Sequence, residues 1–398
     1  MSLCNPLMTI LSLLLLCLWQ VSCRTVKGAD AQQLSFYKQI IHSKFISEGV
    51  ATGDVNRDGL TDIMAGAHWF EAPDWKPHEI QPPLEFDYTS EWSNSFLNFS
   101  MDVDQDGWID QIVIGFPGQE AFWYRNPQGK DEHWSQFLID SSACNESPMM
   151  VDIDDDGRND LVFGNESDNT MYWFRSPATP GETSWEKIAI SDTGAAGTNR
   201  FSHGLGFGDV NRDGRNDIII RHGWWEAPVN RRDVPWKFHQ ADLGEPSSQM
   251  YAYDFDADGD QDIISASAHA YGIWWYESNG NANDPSFKTH LIDSSFSQTH
   301  GVAFIDMNGD QLPDLVTGKR FFAHNGKDPG GLEPAVLSWI EMSRGQDQKP
   351  SWTSHQIDND SGVGLHVVVE DIDKDGILDI LNANKKGVIV FWGQIPEE

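Results

Sequence analysis

The sequence predicts an all-β fold, a seven-bladed β-propeller, and three observations predict it. A nine-residue pattern, Asp-x-Asp/Asn-x-Asp-Gly-x-x-Asp, occurs seven times, starting at Asp54, Asp102, Asp152, Asp209, Asp254, Asp306 and Asp371. The starts lie 45 to 65 residues apart, the length of a propeller blade. A short segment led by an aromatic residue, Trp…Ile in four of them, closes each of the first six units, and a similar segment, residues 35–42, stands alone ahead of the first loop. The last unit lacks such a segment, so residues 35–42 are expected to complete it and close the ring.

Taken in order, residues 1–23 read as an export signal. The apolar run 10–19 is too short to span a bilayer. Val21-Ser22-Cys23 allows cleavage after a small residue, and equally a lipid anchor on Cys23, so the chain is expected to be secreted, periplasmic or lipid-anchored. Residues 24–34 are polar and are expected to form a disordered lead-in, and residues 35–398 the propeller. Cys4, Cys17 and Cys23 fall in the leader, which leaves Cys144 alone and no disulfide framework; stapling by metal takes its place.

Each unit reads as four strands. Strand A precedes the aspartate loop and strand B follows it. Strand C carries an aromatic pair such as Trp69-Phe70, Trp224-Trp225 or Trp274-Trp275. Strand D is the closing segment. Tryptophans at these regular offsets pack blade against blade.

The loops put oxygens at alternate positions around a bend that needs Gly, which suits a hard cation such as Ca2+. The ligands expected are Asp54, Asn56, Asp58 and Asp62; Asp102, Asp104, Asp106 and Asp110; Asp152, Asp154, Asp156 and Asp160; Asp209, Asn211, Asp213 and Asp217; Asp254, Asp256, Asp258 and Asp262; Asp306, Asn308, Asp310 and Asp314; Asp371, Asp373, Asp375 and Asp379. An EF-hand would place a carboxylate at position 12 and run on into a helix. Here position 12 is Ala65, Val113, Phe163, Ile220, Ser265, Thr317 or Asn382, in β-like runs. Loop six departs from the pattern, with Gln311 in place of Gly and Gly309 at position 4.

The net charge of −34 would fall to −20 with seven bound Ca2+ ions, still unsuited to nucleic acid or an anionic membrane. No segment beyond the leader is apolar enough to cross a membrane.

These repeats resemble the FG-GAP/VCBS family, whose blades occur in the integrin α-subunit head. Residues 202–204, 299–301, 318–326 and 361–364 are similar to a narrower group of secreted bacterial repeat proteins. The propeller of that group is similar to that of aldos-2-ulose dehydratase, a sugar lyase whose cupin-like part has no counterpart here. The resemblance implies fold and Ca2+ more than activity.

Strand order gives the propeller two ends. The aspartate loops occupy one. His203, His300 and His366 precede or begin strand A, and His68, His222, His269 and His324 follow strand B, so seven of 13 histidines fall at the other end. Lys319 and Arg320 stand beside them, and Glu48 and Glu146 precede strand A in units one and three. Imidazoles and carboxylates so placed hold a further divalent metal, act as acid and base on a sugar, or merely satisfy loop carbonyls. His203, His300, His366, Glu146, Lys319 and Arg320 are the candidate catalytic residues. The Gly- and Pro-rich stretch 318–350 is expected to lie over this end, as a lid or a surface excursion. Two functions remain open. One is a non-catalytic module for a carbohydrate or an extracellular protein. The other is a metal-assisted sugar lyase or isomerase.

Overall fold

A computed structural model describes residues 34–281 and 285–396; the export segment and residues 24–33 of the lead-in lie outside the described residues. Leu34, the last lead-in residue, already packs on the core.

The chain is all-β. Among the described residues the single helical segment is a short 3₁₀ turn, Ala323–Gly326. Each strand B begins on the ninth loop residue: Asp62–Ala65, Asp110–Ile114, Asp160–Asn165, Asp217–Ile220, Asp262–Ala266, Asp314–Gly318 and Asp379–Asn384. The loops therefore join strands, and the exclusion of an EF-hand holds.

Antiparallel pairing runs A–B–C–D. In the first unit it links Ala51–Gly53, Asp62–Ala65, His68–Glu71 and Lys76–Glu79. It sorts the described strands into seven units of four. Two junctions merge neighbours, which leaves five separate sheets. Ser135–Val151 serves as strand D of unit two and strand A of unit three, and Leu205–Gly208 lies parallel to Gln249–Tyr253. This arrangement fits a β-propeller.

Neighbouring A strands lie against one another, as Ala51–Gly53 does on Leu97–Met101, so they line the axis and the D strands form the rim. Ser35–His42 pairs antiparallel with Gly387–Gln394, in register from Ser35 opposite Gln394 to Ile40 opposite Ile389. Units seven and one also share a core, with Ile46, Val50 and Ile63 packed among Ile372, Leu381 and Val388. The chain thus hides both sheet edges that an open array would expose.

Strand C tryptophans stack on strand D. Trp69 lies 4.2 Å from His78, Trp123 4.5 Å from Phe137, Trp224 4.7 Å from His239, and Trp339 4.5 Å from His355. In unit five the residue in this place is Trp275, stacked on His290, so the aromatic pair there is Trp275-Tyr276 and not Trp274-Trp275. The second ring nitrogen of each of these histidines meets a strand C glutamate, as His78 meets Glu71 at 2.7 Å. Cys144 is buried and unpaired, its Sγ–H donating to Thr198 O; burial pushes the thiol up to about 12.

The stretch 318–350 is only partly a loop. Leu337–Arg344 and Pro350–Asp358 are strands C and D of unit six, so the excursion is residues 319–336.

Candidate functional site

The loop end is one construction repeated seven times. Position 1 accepts the N–H groups of positions 5 and 6, as Asp152 does from Asp156 and Gly157. The fifth side chain accepts the N–H of position 7, as Asp156 does from Arg158. Two left-handed residues make the bend, with φ from 56° to 76° at position 4 and from 72° to 93° at position 6. Loop six keeps both turns, with Gly309 at 76° and Gln311 at 72°, so its departures leave the shape intact.

Position 9 has a second task. Its carboxylate is buried and accepts an N–H from the end of strand C in all seven units, for example Ala72 to Asp62 and Gly393 to Asp379. The loop is thereby bolted to its own sheet. Burial pushes the Asp110 carboxyl up to about 8; a divalent ion beside it would offset that cost.

The donors suit such an ion. Oxygens of Asp102, Asp104 and Asp110 lie within 4.8 Å of one another, as do those of Asp152, Asp154 and Asp160. Oδ1 of Asp104 and Oδ1 of Asp154 are buried with no hydrogen-bond partner, which a hard cation would satisfy. In four units a strand C residue complements position 3: Glu71 and Glu341 accept from Asn56 and Asn308, and Arg125 and Arg175 pair with Asp104 and Asp154. In unit five Glu277 faces Asp256 instead, acid against acid.

The opposite end is built once, from several units. His203 and His300 each meet a backbone carbonyl two residues back through Nδ1: Phe201 O at 2.9 Å and Gln298 O at 3.2 Å. His269 and His324 both meet Asp328 Oδ2 through Nδ1, at 3.3 and 2.6 Å. The four rings form one group. Centroids are 4.5 Å apart for His203 and His269, 4.6 Å for His269 and His324, and 5.6 Å for His269 and His300. Burial, and after it the Arg320 charge, hold His300 well below the usual imidazole range.

Beside the imidazoles lies a buried ion cluster. Arg320 Nη2 is 2.9 Å from Glu48 Oε1, and Nη1 is 3.5 Å from Glu146 Oε2. Burial pushes Glu146 upward, but His203 and Arg320 override it and hold the carboxyl well below its ordinary value. Glu48 goes the other way: burial raises it and Arg320 only partly compensates. Above the cluster opens a cavity of about 260 Å³ lined by Trp92, Phe96, Phe116, Phe201, Glu146, Arg320 and His324. A groove of about 800 Å³ between units one and two is larger, but it lies on the rim among strand D residues, away from this chemistry.

Of the residues picked from sequence, the fold brings together His203, His300, Glu146 and Arg320. His366 stands apart: Nδ1 meets Val50 O at 3.1 Å, the ring packs on Phe99, and burial lowers it to about 4. Lys319 is a staple, with Nζ donating to Gly331 O and Glu333 O. Sequence reasoning left out Asp328, Trp92 and the phenylalanine walls. The spacing His324-x-x-x-Asp328 within a Gly-rich excursion was the available signal for Asp328. That excursion holds Phe322, His324 and Asn325 in left-handed conformations at 52°, 46° and 56°. Strain of this kind gathers where a site is being shaped.

The FG-GAP-like repeat model matches residues 102–163, 152–220 and 254–317. No curated protein matches the sequence. Among solved structures, BBS1N in complex with ARL6DN is 10% identical with a TM-score of 0.50, covering 91% of this chain and 96% of that one. A lectin of Agrocybe aegerita that recognises non-reducing terminal N-acetylglucosamine is 16% identical with a TM-score of 0.46, over 91% and 86%. Rhamnogalacturonan lyase YesW is 10% identical with a TM-score of 0.46, over 92% and 74%.

Proposed function

Because this chain carries FG-GAP-like repeats, we propose that it is an exported, seven-bladed propeller, locked by up to seven Ca2+ ions, that binds a carbohydrate at the end away from its loops. One observation carries the reading: the cavity of about 260 Å³ with four aromatic walls and Glu146, Arg320 and His324 among them. Aromatic faces take the C–H face of a sugar ring, and the polar groups take its hydroxyls. The volume lies just below the roughly 300–1,000 Å³ of sites for drug-sized ligands, which suits a single ring better than a protein partner. No described helix is long and apolar enough to cross a membrane.

Titration of tryptophan fluorescence with a panel of monosaccharides and oligosaccharides tests the reading. Saturable quenching by some member, lost in Trp92→Ala with the far-ultraviolet spectrum unchanged, is expected. Absence of binding across the panel, or full binding by Trp92→Ala, would overturn it.

A second reading, a metal-assisted sugar lyase or isomerase, is favoured by Glu146. Its Oε2 stands 3.5 Å from His203 Nε2 and lines the cavity, where an acid–base pair acting on a C–H next to a carbonyl would stand. Turnover of any panel member, abolished in Glu146→Gln, separates this reading from simple binding.

A further inference from the structure

We propose that His203, His269 and His300, steadied by Asp328 and with His324 at the edge, bind one divalent transition-metal ion beside the cavity, separate from the Ca2+ loops. Three facts point there. Ligand nitrogens of His203, His269 and His300 lie within 4.8 Å of one another. Nε2 of His203 and Nε2 of His300 are buried with no hydrogen-bond partner, on side chains that are 7% and 1% exposed as residues. Glu146 Oε2 stands 3.5 Å from His203 Nε2, beyond a good hydrogen bond.

The arrangement has the outer support of a metal site. Each of the four imidazoles has Nδ1 engaged, two by backbone carbonyls and two by one carboxylate, which turns Nε2 to the ion; on His203 the ion would replace the proton that Glu146 favours there. Neutral imidazole nitrogen selects zinc, copper, nickel or iron over Ca2+, which takes oxygen. Around a tetrahedral ion with bonds of ~2.1 Å, ligand atoms stand about 3.4 Å apart, so the rings draw in by roughly 1 Å on loading. Three nitrogens leave a coordination position for water or a ligand from the cavity, to which His324 and Glu146 also belong. The site does not depend on a sugar occupying that cavity.

The test uses the full chain in excess Ca2+, loaded with Zn2+ or Co2+ and gel-filtered. Elemental analysis is expected to give one transition ion per chain, and the Co2+ form to show the visible bands of nitrogen coordination. His300→Ala should lose the ion. Asp328→Asn, which alters only the support, should weaken binding ~10–100-fold. His366→Ala, a buried histidine at the same end but outside the group, should bind as the parent does. Should His300→Ala fail to fold, the Co2+ spectrum of the parent and the Asp328→Asn affinity still decide. No ion bound by the parent at micromolar concentration overturns the proposal. So does an ion retained equally by His300→Ala and Asp328→Asn, or one displaced by Asp154→Ala.

Discussion

The two ends of this molecule solve opposite problems. At the loop end the same nine residues recur seven times, and each copy is tied to its own sheet by a buried position 9 carboxylate. The bend and its anchor are alike in every unit; position 3 and its strand C neighbour vary. At the other end no residue type recurs in every unit: histidine precedes strand A in units four and six, glutamate in units one and three. His203, His269, His300, His324, Glu146 and Glu48 come from units four, five, six, three and one, and they meet because the ring brings its inner strands together. Repetition builds the frame; departure from repetition builds the site.

Substitutions break or sharpen that contrast. The largest effect should come from Arg320→Ala, which strands Glu48 and Glu146 in the interior; loss of one partner from a buried ion pair costs about 3–5 kcal/mol, read by urea unfolding in saturating Ca2+. A loss below about 1 kcal/mol would mean that water or ions already serve these carboxylates. Next is Asp160→Ala at the loop end. It leaves the Ser176 N–H and the Trp173 indole N–H without their acceptor, at about 2–4 kcal/mol. Gly157→Ala should cost about 1–2 kcal/mol, since φ is 87° and an added Cβ meets nothing within 4 Å, so backbone strain acts alone. Smallest is His355→Ala, a half-exposed rim pair with Glu341 stacked on Trp339, at about 0.5–1 kcal/mol in the same assay. A rim histidine costing more than Arg320 would invert the contrast.

The repeated end was legible in the sequence because its signal is local. Spacing within nine residues sets the turn, and the apolar run after position 9 sets strand B. Pairing of residues 35–42 with the last unit was legible too, since a segment missing at one terminus stands surplus at the other. The unrepeated end was only half legible. His300 and His366 both sit near the start of an A strand, yet His300 joins the imidazole group while His366 turns to Val50 O and Phe99. Local pattern does not record which way a ring faces across a channel. Asp328 and Trp92 lie in irregular segments whose course is set by packing and by left-handed residues, not by period. In unit five, Trp274 and Trp275 stand adjacent, and only cross-strand pairing with His290 decides which one faces strand D.

The account rests on the aspartate loops holding Ca2+, and thermal unfolding of the full chain as a function of free Ca2+ tests it most directly. Modules of this kind bind at roughly 10⁻⁴–10⁻³ M. Each site held at about 100 times its Kd adds ~2.7 kcal/mol to the folded state. The melting temperature should therefore climb through the millimolar range and fall well below its starting value in a chelator. Superimposable melts with and without the chelator would contradict it.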